Sequence, residues 1–200
     1  MENKLYPVFS GEYTVVDGEK MFQSYRIIDD VGGLSIYESV DFIFINDSLE
    51  AYFKEVKGTV HEFIHELINY PNFYEEYYND TPKSREYLEL AKEAIYREDC
   101  SKDELMEFIC DGNSSHEEKL FILKALQGQV TEDDIVRLVK HFDSGFLIQN
   151  DYLVKELFSL LGKYRNEEVY QLFLDYFSEA VGQDSKVDEL ITAYFDNYYQ

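Results

Sequence analysis

His61-Glu62-Phe63-Ile64-His65 is the stretch of this chain whose residue types and spacing spell out a metal chemistry. On a helix, two histidines four residues apart stand one turn apart on one face and can ligate a zinc ion, while the glutamate beside them activates water for hydrolysis. In that reading His61 and His65 are ligands and Glu62 is the base. A third ligand must come from elsewhere; Glu86 and Glu89 are available, but an acidic chain offers a glutamate almost anywhere, and no further histidine follows at a ligand spacing. The competing reading leaves both histidines as solvated or capping side chains and requires no cofactor. The sequence favours it, because nothing around the motif completes the site.

The remaining chemical residues are sparse. Cys100 and Cys110 are the two cysteines, too few for a disulfide framework and without the spacing of a metal or redox pair, so they read as plain thiols. His116 and His141 fall at a helix start and a helix end, where His141 complements the helix dipole. Glycines are scattered among turns and form no phosphate cradle. More suggestive is the run Tyr70 to Tyr78, in which Tyr74, Tyr77 and Tyr78 sit among glutamates; tyrosine offers rigid contact area with a polar tip and serves either a core or an interface.

Charge narrows the class of partner. Of the 200 residues, 41 are Asp or Glu and 18 are Lys or Arg, a net charge of −23. Residues 1–100 hold 21 acids and 9 bases and residues 101–200 hold 20 and 9, so the acidity is a property of the whole molecule and not of a tail. Such a chain does not capture a phosphate backbone directly. It carries no secretory h-region and no apolar run near the roughly 18 residues a membrane span requires, which points to a soluble cytoplasmic protein.

The elements that must position these residues divide into three stretches. Residues 1–46 have β character, with the turn signals Asp17-Gly18 and Gly32-Gly33 between short runs of β-branched and aromatic residues, and predict a small antiparallel element. From Asp47-Ser48-Leu49-Glu50, which reads as a capping box, apolar residues at Leu49, Phe53, Val56, Val60, Phe63, Ile64 and Leu67 predict a long amphipathic helix and an aromatic connector over residues 47–81. Gly58 would bend that helix. Residues 82–200 read as six or seven helices, started by Thr81-Pro82, Ser101, Ser115, Thr131, Asn166 and Ser185 and stopped near Gly112, Gly128, Gly162 and Gly182.

Within that last stretch the chain repeats itself at an offset of 34 residues. Leu123, Leu126, Gly128, Asp133-Asp134, Ile135, Leu138 and Phe142 meet Leu157, Leu160, Gly162, Glu167-Glu168, Val169, Leu172 and Tyr176. One helical hairpin is written twice, with an apolar face that only a neighbouring hairpin can cover. The pattern resembles HEAT-type helical repeats, and the fold class expected is therefore mostly α: a small N-terminal antiparallel β element followed by stacked antiparallel hairpins, with 47–200 as one continuous α unit.

Size, acidity and this architecture together are similar to the immunity and inhibitor proteins of bacterial toxin or phage-defence systems. That resemblance implies a non-enzymatic module that sequesters a basic protein, a toxin or a nucleic-acid-binding enzyme, with a DNA mimic as one alternative and a zinc metallohydrolase as the other. Equivalent helix starts in a stacked array line up, so Glu132, Asp133, Asp134, Glu167 and Glu168 are expected to form a negative ridge, with Tyr74, Tyr77 and Tyr78 as further contacts. Acids in first turns also complement helix dipoles without any partner.

Overall fold

The computed structural model describes residues 4–43, 45–111 and 114–198. Two compact units divide the chain, Met1–Ser101 and Lys102–Gln200.

The first unit is built on five strands, β1 (Val8–Val16), β2 (Glu19–Ile28), β3 (Leu34–Glu38), β4 (Tyr52–Lys57) and β5 (Val60–His65), in the antiparallel order β3-β2-β1-β5-β4. Two helices follow, α1 (Phe73–Tyr78) and α2 (Pro82–Asp99). Asp17 and Gly18, both at positive φ, turn β1 into β2, which is the geometry an Asp-Gly hairpin loop supplies.

The sheet overturns the expected fold class. The protein is mixed α/β, with a five-stranded sheet in place of a small β element, and the long helix expected over residues 47–81 is the hairpin β4–β5 followed by α1. Gly58 is the reason. At φ +69° it opens a two-residue loop that pairs Lys57 with Val60, and the β-branched and aromatic residues on either side then alternate between the faces. The Asn46 side chain accepts the Ser48 N–H at 2.9 Å, so the segment read as a capping box is a local Asx turn. Pro82–Asp99 and Lys102–Cys110 also belong to different units, so the boundaries at 46 and 81 and the single α unit 47–200 give way to one division after Ser101.

Each sheet face has its own core. Tyr13, Tyr25, Ile27, Tyr52 and Phe63 pack on one side, closed by Phe42 and Leu49 from the connection that runs from edge strand β3 to the opposite edge strand β4. On the other side, α1 and α2 lay Phe73, Leu88, Ala91 and Ile95 over Phe9, Leu34 and Ile68.

The end of α2 carries a pH-sensitive group. Asp99 is part-buried beside Glu98, and its carboxyl is pushed up to about 6, first by burial and then by Glu98; Asn46 Nδ2 donates to it at 3.2 Å. A carboxyl with a folded pKa above its unfolded value of about 3.9 binds its proton more tightly in the folded state, so stability falls as pH rises from about 4 through 6. Asp99→Asn is expected to stabilise the protein by roughly 1–2 kcal/mol above pH 7, after allowance for solvent screening, and by nothing near pH 4. Paired urea melts at the two pH values check this.

The second unit is helical: α3 (Lys102–Cys110), α4 (His116–Leu126), α5 (Glu132–His141), α6 (Ser144–Gln149), α7 (Asp151–Leu161), α8 (Glu167–Ala180) and α9 (Ser185–Tyr198). Helices related by the 34-residue offset pack on one another, α4 against α7 and α5 against α8, and α9 lies against α7 and α8. Leu126, Leu138 and Leu160 are wholly buried and Leu172 is nearly so. Among the described residues no helix is long and apolar enough to cross a membrane.

Candidate functional site

The metal reading fails on secondary structure. His61 and His65 lie on strand β5, and four residues of extended chain separate their backbones by about 13 Å, too far to share one ion. Glu62 points to the opposite face and its carboxylate pairs with Lys57 Nζ at 2.6 Å. His61 stacks on Tyr13 with ring centroids 4.8 Å apart. His65 is buried; its Nδ1 accepts the Leu67 N–H at 3.3 Å and its ring meets the Tyr52 ring edge-on. Burial pulls its pKa down, favouring the neutral imidazole. No group of three or more His, Cys, Asp or Glu gathers at metal-binding distance among the described residues.

The tyrosines of α1 work within the first unit. Tyr77 and Tyr78 cap edge strand β3: the Leu34 N–H donates to the Tyr77 hydroxyl and the Tyr78 hydroxyl donates to the Leu34 carbonyl, each at 3.2 Å. Tyr74 exchanges a hydrogen bond with the Ser10 hydroxyl at 3.0 Å and carries the Arg26 guanidinium on its ring at 4.1 Å. Covering an edge that would otherwise template foreign strands accounts for two of the three. Neither Cys100 nor Cys110 forms a disulfide among the described residues; both are half-buried, and burial pushes the Cys110 thiol up.

The acidic helix starts are brought together. The loops that precede α5 and α8 lie side by side, because the Tyr164 hydroxyl donates to the Val130 carbonyl at 2.8 Å, 34 residues away in sequence. Tyr194 from α9 locks the second loop, with its hydroxyl 3.1 Å from the carbonyls of both Tyr164 and Asn166. Asn166 caps α8 by accepting the N–H groups of Glu168 and Val169. Glu132, Asp133, Glu167 and Glu168 are all exposed at these adjacent starts. Asp134 is set apart from these four: it is half-buried, and its carboxylate accepts the Thr131 N–H and hydroxyl at 2.8 and 2.7 Å and pairs with Lys102 Nζ at 2.8 Å. Burial opposes its charge, but Lys102 and Thr131 outweigh that and hold the carboxyl below its ordinary value.

The chain has no significant match among known protein families, curated proteins or solved structures.

Sequence reading missed a second acidic array. Glu12, Glu38, Glu55 and Glu62 come from four different strands, and only the strand register brings them into one row. Residue spacing along the chain does not reveal it, because strand pairing and register, not sequence spacing, set which residues face one another.

Proposed function

We propose that this protein is a non-enzymatic, acidic binding module that sequesters a basic protein partner, in the manner of immunity and inhibitor proteins that occlude a toxin or a nucleic-acid-binding enzyme. The observation that carries the reading is the ridge at the starts of α5 and α8. Asp134 takes the Thr131 N–H and Asn166 takes those of Glu168 and Val169, so the cap bonds at these starts come from other side chains, and Glu132, Asp133, Glu167 and Glu168 add four exposed charges beside them. Clustered carboxylates raise the local field, speed encounter with a cation-rich surface and reject acidic ones.

Charge reversal tests it. Glu132→Lys with Glu168→Lys is expected to leave the far-UV spectrum and melting temperature nearly unchanged while capture of basic proteins from the source cell's lysate drops by about tenfold or more. Wild-type capture should fall steeply as salt rises and the Debye length shortens to about 8 Å at physiological ionic strength. Capture that is flat across salt and indifferent to the reversal would sink the proposal. Asp134→Lys is the contrasting variant, expected to cost about 1–2 kcal/mol of stability through its lost cap and ion pair.

A further inference from the structure

Helices α1 and α2 pack over Phe9 and Leu34, while on the same face Glu38 and Glu55 are exposed and Glu12 and Glu62 partly so. The pairings Glu38 with Ser24, Ser24 with Glu12, Glu12 with Glu62 and Glu62 with Glu55 set four carboxylates in one line that crosses all five strands. Directly opposed residues share a face, and like charges in that position destabilise a sheet. Lys57 relieves one end, reaching Glu62 at 2.6 Å and Glu55 at 3.6 Å. Glu12 and Glu38 lie beyond its reach, and no cation pairs with either among the described residues. Large apolar side chains stand beside the line on the same face: Ile36 and Phe53, 61% and 50% exposed, at the two ends of the next row, with Arg26, Ser10 and Ile64 between them, and Met21, 54% exposed, on the other side. An acidic row with exposed Ile36, Phe53 and Met21 beside it sets aside the usual rules for a solvated sheet, and such departures are expected where function demands them.

Resting on the reading that the partner is basic, we propose that this face docks an amphipathic basic helix of that partner, lying across the strands. The spacing selects a helix over an extended segment. Strands lie about 4.8 Å apart, so Glu38, Ser24 and Glu12 fall near 0, 5 and 10 Å along the line, the two carboxylates beyond the reach of Lys57 standing on either side of the serine. Lys or Arg at i, i+3 and i+7 of a helix project at about 0, 4.5 and 10.5 Å, whereas alternate residues of a strand advance by nearly 7 Å. Apolar residues flanking the basic stripe meet Ile36, Phe53 and Met21.

The probe is a synthetic 18-residue Leu/Lys/Arg peptide with that spacing, measured by fluorescence anisotropy on the full chain, beside a peptide of the same composition with two central prolines that cannot form the helix. The helical peptide is expected to bind and the proline peptide to bind at least tenfold more weakly. Glu12→Thr with Glu38→Thr should weaken the helical peptide at least tenfold and raise the melting temperature by a few degrees, since it removes like-charge repulsion from a strand site. Glu132→Lys with Glu168→Lys should leave peptide affinity within twofold. Equal binding of both peptides, unchanged affinity in the sheet variant, or new amide protection along β4 on binding, the mark of a sixth strand, would overturn the proposal. So would a wild-type dimer that Phe53→Ser makes monomeric, which would assign the face to a second copy. Should the sheet variant behave as wild type while the ridge variant loses capture, the docking proposal fails and the binding function stands. If no basic polypeptide binds at any salt concentration, both fail.

Discussion

Phe158→Ala is expected to destabilise the helical unit by about 3–5 kcal/mol, a large part of what a domain of this size possesses. The ring is wholly buried, stacked on Phe173 at 4.3 Å between centroids and edge-on to Tyr176 at 5.1 Å, so its removal takes away transferred area, two aromatic contacts and the fill of the space between α7 and α8. Few rearrangements close such a void in a packed interior. Urea denaturation followed by far-UV circular dichroism measures the loss. A change below 1 kcal/mol would mean that the α7–α8 contact is not the keystone the packing makes it.

In the sheet unit the largest effect is expected at Gly11. A Cβ there would run into the Ser24 carbonyl oxygen and would meet the Phe63 ring at 2.7 Å. The ring could swing away at some cost, but the carbonyl belongs to the β1–β2 ladder and cannot move without breaking the pairing of Gly11 with Tyr25. Gly11→Ala is therefore expected to cost about 3 kcal/mol through overpacking, although its backbone conformation asks for no glycine. The matched control is Gly18→Ala: its Cβ enters open space, but at φ +88° the turn strains, and the loss should be nearer 1 kcal/mol. Thermal melts of the two variants rank them, and a larger loss at Gly18 would contradict the close approach at Gly11.

Some of this molecule is legible in its residues alone. Ser115, Thr131 and Asn166 start helices where the caps say they should, and the 34-residue offset marks helices that pack on their own repeats, because capping and the 3.6-residue period are local physics. The acidic character is likewise a matter of counting. What the sequence could not decide is the segment from Asp47 to His65. Its apolar residues fit a helical stripe and a pair of strands equally well, and the choice falls to Gly58 together with the partners available: β1 offers β5 an unpaired edge, and ladder hydrogen bonds with β1 decide against an isolated helix. That choice dissolves the zinc motif, since the same five residues that stand one turn apart on a helix stand about 13 Å apart on a strand. It also creates the glutamate row, because a sheet joins residues by register across strands, and register is fixed by bulges, turns and burial that emerge only when the whole sheet assembles.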